Sequence, residues 1–164
     1  MQIDFKNCTL VIKDGTGTPL TITAKLGEGT LTWTRRTPRK YILNHGLVGA
    51  GTVRNDDEQP MEVSLTALYD WLVKQGSEDV SIYEALHQEG GASAWVTTGS
   101  DPCEPYCCTL EFTHTPPCAS VYKEVITFPY FRVEEASPDP KGGMIQFRGK
   151  CKATKPTITR VVNS

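Results

Sequence analysis

Hydrophobic and polar residues alternate with a period of two through much of this chain. Leu20, Ile22, Ala24 and Leu26 alternate with Thr21, Thr23 and Lys25, and Leu31 and Trp33 alternate with threonines. Tyr106, Cys108, Leu110 and Phe112 share one parity; Cys107, Thr109, Glu111 and Thr113 hold the other. Ile145, Phe147, Cys151 and Ala153 are set in the same way against Gln146, Arg148, Lys150 and Lys152. Successive side chains of a strand point to opposite faces, so the pattern predicts strands with one buried and one polar face. Threonine and the other β-branched residues suit such a surface. Asp14-Gly15-Thr16-Gly17 predicts a hairpin between the first two long strands, Gly27-Glu28-Gly29 separates the next pair, and the turn at 138–143 precedes the strand that starts at Met144.

Two segments break the period. In Ser64 to Gln75, residues Leu65, Leu68, Trp71 and Leu72 recur at helical spacing, with Ser64 as N-cap and Gly76 as the stop. From Ser81 to Gln88 a second short helix is predicted: Ser81 and Glu84 form a capping box, and Gly90-Gly91 ends it. The stretch from Arg35 to Gln59 fits neither period. It holds Arg35, Arg36, Arg39 and Lys40, then Gly46, Gly49 and Gly51, then Asp56, Asp57 and Glu58. Tyr41-Ile42-Leu43 reads as strand, but the glycines predict a long loop, and a loop this long in a small domain is usually functional or disordered. The expected architecture is mainly β: a β-sandwich or barrel of two antiparallel sheets flanked by one or two short α-helices, in one domain spanning 1–164 with a long loop at about 35–59.

The 164 residues carry 17 basic and 19 acidic side chains, a formal net charge of −2. Gripping nucleic acid takes a basic excess, because affinity comes from counterions released as Lys and Arg neutralise phosphates. The balance here argues against that class. No apolar run approaches the roughly 20 residues that a bilayer requires. The start, Met1-Gln2-Ile3-Asp4-Phe5, lacks the basic and apolar regions of a signal peptide, so assembly in a cytoplasm is expected.

Six cysteines then read as reduced thiols. Cys103, Cys107, Cys108 and Cys118 lack the Cys-x2-Cys spacing of zinc sites, and adjacent Cys107 and Cys108 on a strand would face opposite ways. Cys108 and Cys151 read as small core hydrophobes. Cys103 and Cys118 flank one strand, and a bond between them would need an oxidising setting. His45, His87 and His114 form no ligand pattern and read as surface residues. Trp71 and Trp95 read as core or interface anchors, Asp56-Asp57-Glu58 as a solvated turn, and Arg148, Lys150 and Lys152 as a basic stripe able to meet an acidic stripe on a neighbouring subunit. No catalytic residue, cofactor site or metal site is indicated.

Three stretches, in this order, resemble the major tail tube proteins of long-tailed, siphophage-type bacteriophages. The first is Asp56-Asp57-Glu58-Gln59-Pro60-Met61-Glu62-Val63-Ser64 running into Leu65 to Leu72. The second is Ala94-Trp95-Val96 with Asp101-Pro102-Cys103-Glu104-Pro105-Tyr106, a strand, and Pro116-Pro117-Cys118. The third runs from Glu124-Val125-Ile126-Thr127-Phe128-Pro129 through Gly143-Met144-Ile145-Gln146-Phe147-Arg148-Gly149-Lys150-Cys151. The doubled Cys107-Cys108 and the Asn44-His45-Gly46 turn depart from the family's pattern.

The resemblance implies a non-enzymatic virion subunit without a cofactor. It would form rings, commonly hexameric, that stack into a tube through which the genome is ejected. Its partners would be copies of itself and the other tail proteins (tape measure, tail terminator and distal tail); double-stranded DNA would pass without specific binding, and no membrane would be involved. A near-neutral wall suits such passage, since a basic lumen would hold phosphates. The chain would assemble in the host cytoplasm and end in the virion tail. The 35–59 loop would match the family's inter-ring loop, which assigns Arg35, Arg36, Arg39, Lys40, Asp56, Asp57 and Glu58 to contacts between subunits. Competing readings are a cysteine-rich β-sandwich binding module, which needs disulfides; a type VI secretion or myophage tube subunit, which shares the plan; and a zinc-dependent or thiol enzyme.

Overall fold

A computed structural model describes residues 7–68, 74, 75, 78–99, 101, 103–117 and 121–162. Among these residues there are twelve strands: β1 Cys8–Lys13, β2 Thr21–Lys25, β3 Thr30–Thr34, β4 Arg39–Asn44, β5 Leu47–Asn55, β6 Met61–Leu68, β7 Lys74–Gln75, β8 Glu78–Asp79, β9 Cys108–His114, β10 Tyr122–Asp139, β11 Met144–Cys151 and β12 Thr157–Val162. One helix, α1 Ile82–His87, and a 3-10 turn at Gly90–Ala92 complete the described elements. The fold is mainly β and antiparallel, as the alternation predicts.

Eight strands form one sheet in the order β2-β1-β9-β10-β11-β6-β3, with β12 also paired to β10. Its two end strands, β2 and β3, are neighbours in sequence, separated by 26–29 alone. So short a connection requires the sheet to roll until its ends meet, and the inner faces then close over one core in the manner of a sandwich. Long β10 serves both halves. Its first half pairs β9 on one side and β12 on the other, and its second half pairs β11. The registers slip between Phe128 and Phe131 and between Val133 and Glu135, and Tyr130 there has φ 51°. These bulges bend the strand from one half of the sheet into the other.

The core follows the predicted faces. Leu10, Ile12, Ile22, Leu110, Phe112, Phe128, Phe131 and Phe147 are all buried. Phe131 and Phe147 meet edge to face at 6.0 Å, and Trp33 meets Phe128 at 5.8 Å, a geometry that suits the ring quadrupole. On β11, buried Ile145, Phe147 and Cys151 alternate with exposed Gln146, Arg148 and Lys150. Leu20 falls just before β2 and stays exposed.

The helix over Ser64–Gln75 is a misreading. Residues 64–68 belong to β6, where Met61, Val63, Leu65 and Ala67 are buried and Leu68 is exposed. A period of two runs through this stretch, and tertiary pairing with β3 and β11 overrides the helical spacing of Leu65 and Leu68. Lys74-Gln75 is strand as well; Trp71 and Leu72 lie outside the described residues. The second helix forms as expected. Ser81 caps α1, its side chain accepting from the Glu84 amide while the Glu84 carboxylate accepts from the Ser81 amide. Among the described residues no helix is long and apolar enough to cross a membrane.

Candidate functional site

The expected 35–59 loop is instead a second, separate sheet. β4 and β5 pair as a hairpin closed by His45 and Gly46, with φ 51° and 77°. Two consecutive left-handed residues make the kind of turn whose twist matches paired strands, and glycine takes that conformation without penalty. The other glycines do not break the strand; one permits it. The register slips between Ile42 and Asn44, and a Cβ on Gly51 would sit 2.3 Å from the Ile42 carbonyl oxygen. Only glycine fits so close an approach.

Every described side chain of the hairpin strands whose burial is resolved is exposed, Gly51 apart. Tyr41 is 61% exposed, Leu47 63%, Val48 69% and Val53 55%. Cα partners share a face, so Arg39, Tyr41, Val53 and Asn55 lie on one side and Lys40, Ile42, Thr52 and Arg54 on the other. Both faces therefore carry apolar groups in contact with water. An isolated two-stranded hairpin is marginal in water, and an exposed apolar patch marks a contact surface.

The root of the hairpin gathers most of the residues assigned to subunit contacts. The Asp56 amide donates to the Pro38 carbonyl at 3.0 Å, and Arg39 Nη1 donates to Asn55 Oδ1 at 2.5 Å, which ties the two ends together. Arg35, Arg36, Arg39, Asp56 and Glu58 line one open cleft there, with Asn55 and Thr154. Lys40 stands one residue further along, opposite Arg54. Asp57 is exposed in the turn before β6 and is not part of the cleft lining. Among the described residues Arg36 is the one cation of this set with an ion pair, to Glu62 at 3.3 Å.

A second unpartnered surface adjoins. All six residues of β12 are exposed, including Ile158, Val161 and Val162, and Tyr122 beside them is 61% exposed. Among the described residues β12 pairs with β10 alone, which leaves its outer backbone edge without a described partner. Natural sheets usually blunt such edges because they recruit other chains.

The remaining candidates resolve differently. The basic stripe is matched within the chain: Arg148 pairs with Glu135 at 2.6 Å, Lys150 with Glu134 at 4.0 Å, and Lys152 with Glu104. Glu104 also takes Arg132 at 2.9 Å, and its hydrogen bond from Lys152, with the Arg132 contacts, holds its carboxyl below the ordinary range. Trp95 is buried, as expected for an anchor. Burial pushes the Cys151 thiol up to about 12 and the Cys108 thiol higher still, so both are inert, as core thiols are. Cys107 is buried too, beside the Thr97 and Thr98 hydroxyls, so it does not face solvent as a strand neighbour of Cys108 would. Cys103 is exposed and free; Cys118 lies outside the described residues. Burial likewise raises the Tyr106 phenol, whose hydroxyl donates to the Ala85 carbonyl and anchors α1. His45 is exposed, while His87 and His114 are half-buried. Among the described residues no group of three or more His, Cys, Asp or Glu is placed to hold a metal.

One sequence signal stands outside the residue-by-residue motifs. Between Glu28 and Asp56 there are five bases (Arg35, Arg36, Arg39, Lys40 and Arg54) and no acid. Between Lys74 and Lys123 there are seven acids (Glu78, Asp79, Glu84, Glu89, Asp101, Glu104 and Glu111) and neither Lys nor Arg. The near-zero net charge conceals this segregation, which a tally of charge along the chain exposes. No protein-family model matches the chain, and no curated protein matches it.

Proposed function

We propose that the chain is a structural subunit that polymerises with copies of itself, as a tail tube protein of a long-tailed bacteriophage. The observation that carries this reading is the β4–β5 hairpin, which presents apolar side chains on both faces and buries neither. A separate cost in hydration is attached to each of those faces, and only contact with another molecule removes it. The open edge of β12 offers a second joint by strand pairing. Two different patches on one subunit allow head-to-tail contacts, which close into rings along one direction and extend into a filament along another. In this reading the arginine-lined root cleft holds a docked neighbour in register.

The test is charge reversal at the root. Arg35→Glu, Arg36→Glu and Arg39→Glu together leave a folded monomer and abolish polymers seen by negative-stain electron microscopy of concentrated protein. Normal tubes from that variant would remove the assigned role of these residues.

A further inference from the structure

Three surfaces remain to be matched: the hairpin, the β12 edge and the segment around α1. The hairpin differs from the edge in carrying a strong charge of one sign. Its Lys40 and Arg54 are Cα partners, so two bases stand side by side on the face that also bears Ile42. Like charges directly opposite destabilise a strand pair. An isolated subunit gains nothing from this arrangement, whereas an acidic partner would turn the repulsion into attraction.

This chain contains a surface of the required kind. The segment 78–104, which carries α1, has six of the acids that no neighbouring base in the sequence offsets. Some are occupied: Glu84 closes the capping box of α1, and Glu104 holds Arg132 and Lys152. Glu89 and Asp101 are exposed, and Glu89 makes no side-chain cap bond to the turn that follows it. Between them in sequence, Val96 is 46% exposed and Ala94 is exposed as well. Asp101 accepts from the Cys103 amide at 2.9 Å through one oxygen and stays exposed. The segment therefore offers exposed carboxylates, which the hairpin strands lack, along with exposed apolar side chains.

We infer that the basic face of the β4–β5 hairpin of one copy docks on the acidic α1 segment, around Glu89, Val96 and Asp101, of a second copy. The inference rests on the self-assembly reading above and names the surface that receives the hairpin. Because the two patches differ, the contact is head-to-tail, which closes a ring or extends a filament according to its rotation. Its charges make it sensitive to salt, with the effect concentrated below physiological ionic strength, where screening is weak.

The experiment is a charge swap on the full chain, read by sedimentation velocity. Lys40→Glu with Arg54→Glu, or Glu89→Lys with Asp101→Lys, raises the protein concentration needed for half-assembly by about tenfold or more, since like charges then face each other. All four changes in one chain bring assembly back towards the wild-type concentration. Glu89→Lys alone, at a side chain with no structural bond, gives a smaller shift in the same direction and guards against a folding defect in the double variant. If Glu89→Lys with Asp101→Lys assembles like wild type while the hairpin reversal does not, or if the fourfold variant is no better than either pair, the docking assignment is overturned and the self-assembly reading survives. A wild-type chain that stays monomeric at every concentration overturns both.

Discussion

The rolled sheet and the β4–β5 hairpin are built from the same kinds of residue and end in opposite states. β11 alternates apolar and polar side chains and, beyond its first residue Met144, buries the apolar ones; Ile145 and Phe147 are at most 1% exposed. The hairpin has Tyr41, Ile42, Leu43, Leu47, Val48 and Val53, comparable in strand-forming tendency, and exposes all of them by more than a third. The difference is the opposite layer. Seven other strands supply β11 with a second face to pack against, whereas among the described residues β4 and β5 pair only with each other. Strand propensity thus forms an element, and whether it stabilises the subunit or waits for a partner depends on what lies across from it.

A graded set of substitutions sharpens this contrast. Phe147→Ala, in the core, is expected to destabilise the isolated subunit by about 3–5 kcal/mol. Asp14→Ala comes next. Its buried carboxylate accepts from the Leu20 amide at 2.8 Å, from the Thr16 hydroxyl at 2.8 Å and from the Val96 amide at 3.3 Å. Losing it removes the shared acceptor of three partly buried donors, at about 1 kcal/mol. Tyr41→Ala, on the hairpin, should change the stability of the monomer by no more than about 0.5 kcal/mol while weakening assembly. Urea unfolding of dilute protein measures all three. A large loss from Tyr41→Ala would mean that the hairpin packs on its own subunit.

The smallest effect concerns pH. Glu104 links the 103–107 segment to β10 and to Lys152 beyond β11. Its carboxyl is depressed by the Lys152 hydrogen bond first. A depressed carboxyl contributes stability that is present above its ordinary value near 4.5 and is lost as pH falls through the lower folded value. Glu104→Gln should therefore lose a small amount of stability at pH 7 and show a shallower decline below pH 4.5 than wild type. Parallel thermal melts between pH 7 and pH 3 check it; identical slopes would show that the contact is spent on solvent.

Much of the fold was legible. The alternation located the strands that became β2, β3, β9 and β11, and Ser81 with Glu84 located α1. Leu65 and Leu68 misled because a three-residue spacing also arises where one buried and one exposed apolar residue lie on opposite faces of a strand. Arg35 to Gln59 misled for another reason: Gly46, Gly49 and Gly51 are loop residues by composition, yet here Gly46 makes the turn and Gly51 the close approach that a hairpin needs. Within the candidate site, the convergence of Arg35, Arg36, Arg39, Asp56 and Glu58 followed from nothing local; pairing of β4 with β5 folds the two ends of the segment together. Segregation of bases and acids was visible in the sequence throughout, but a net charge of −2 averages it away.

Hydrogen exchange of the hairpin amides across a protein concentration series tests the central claim most directly. In dilute subunit the amides of 39–55 should exchange fast while those of β9 and β11 stay protected, and raising the concentration should slow the hairpin amides selectively. Hairpin amides that are already as protected as β11 in dilute solution, or that remain fast at every concentration, would contradict it.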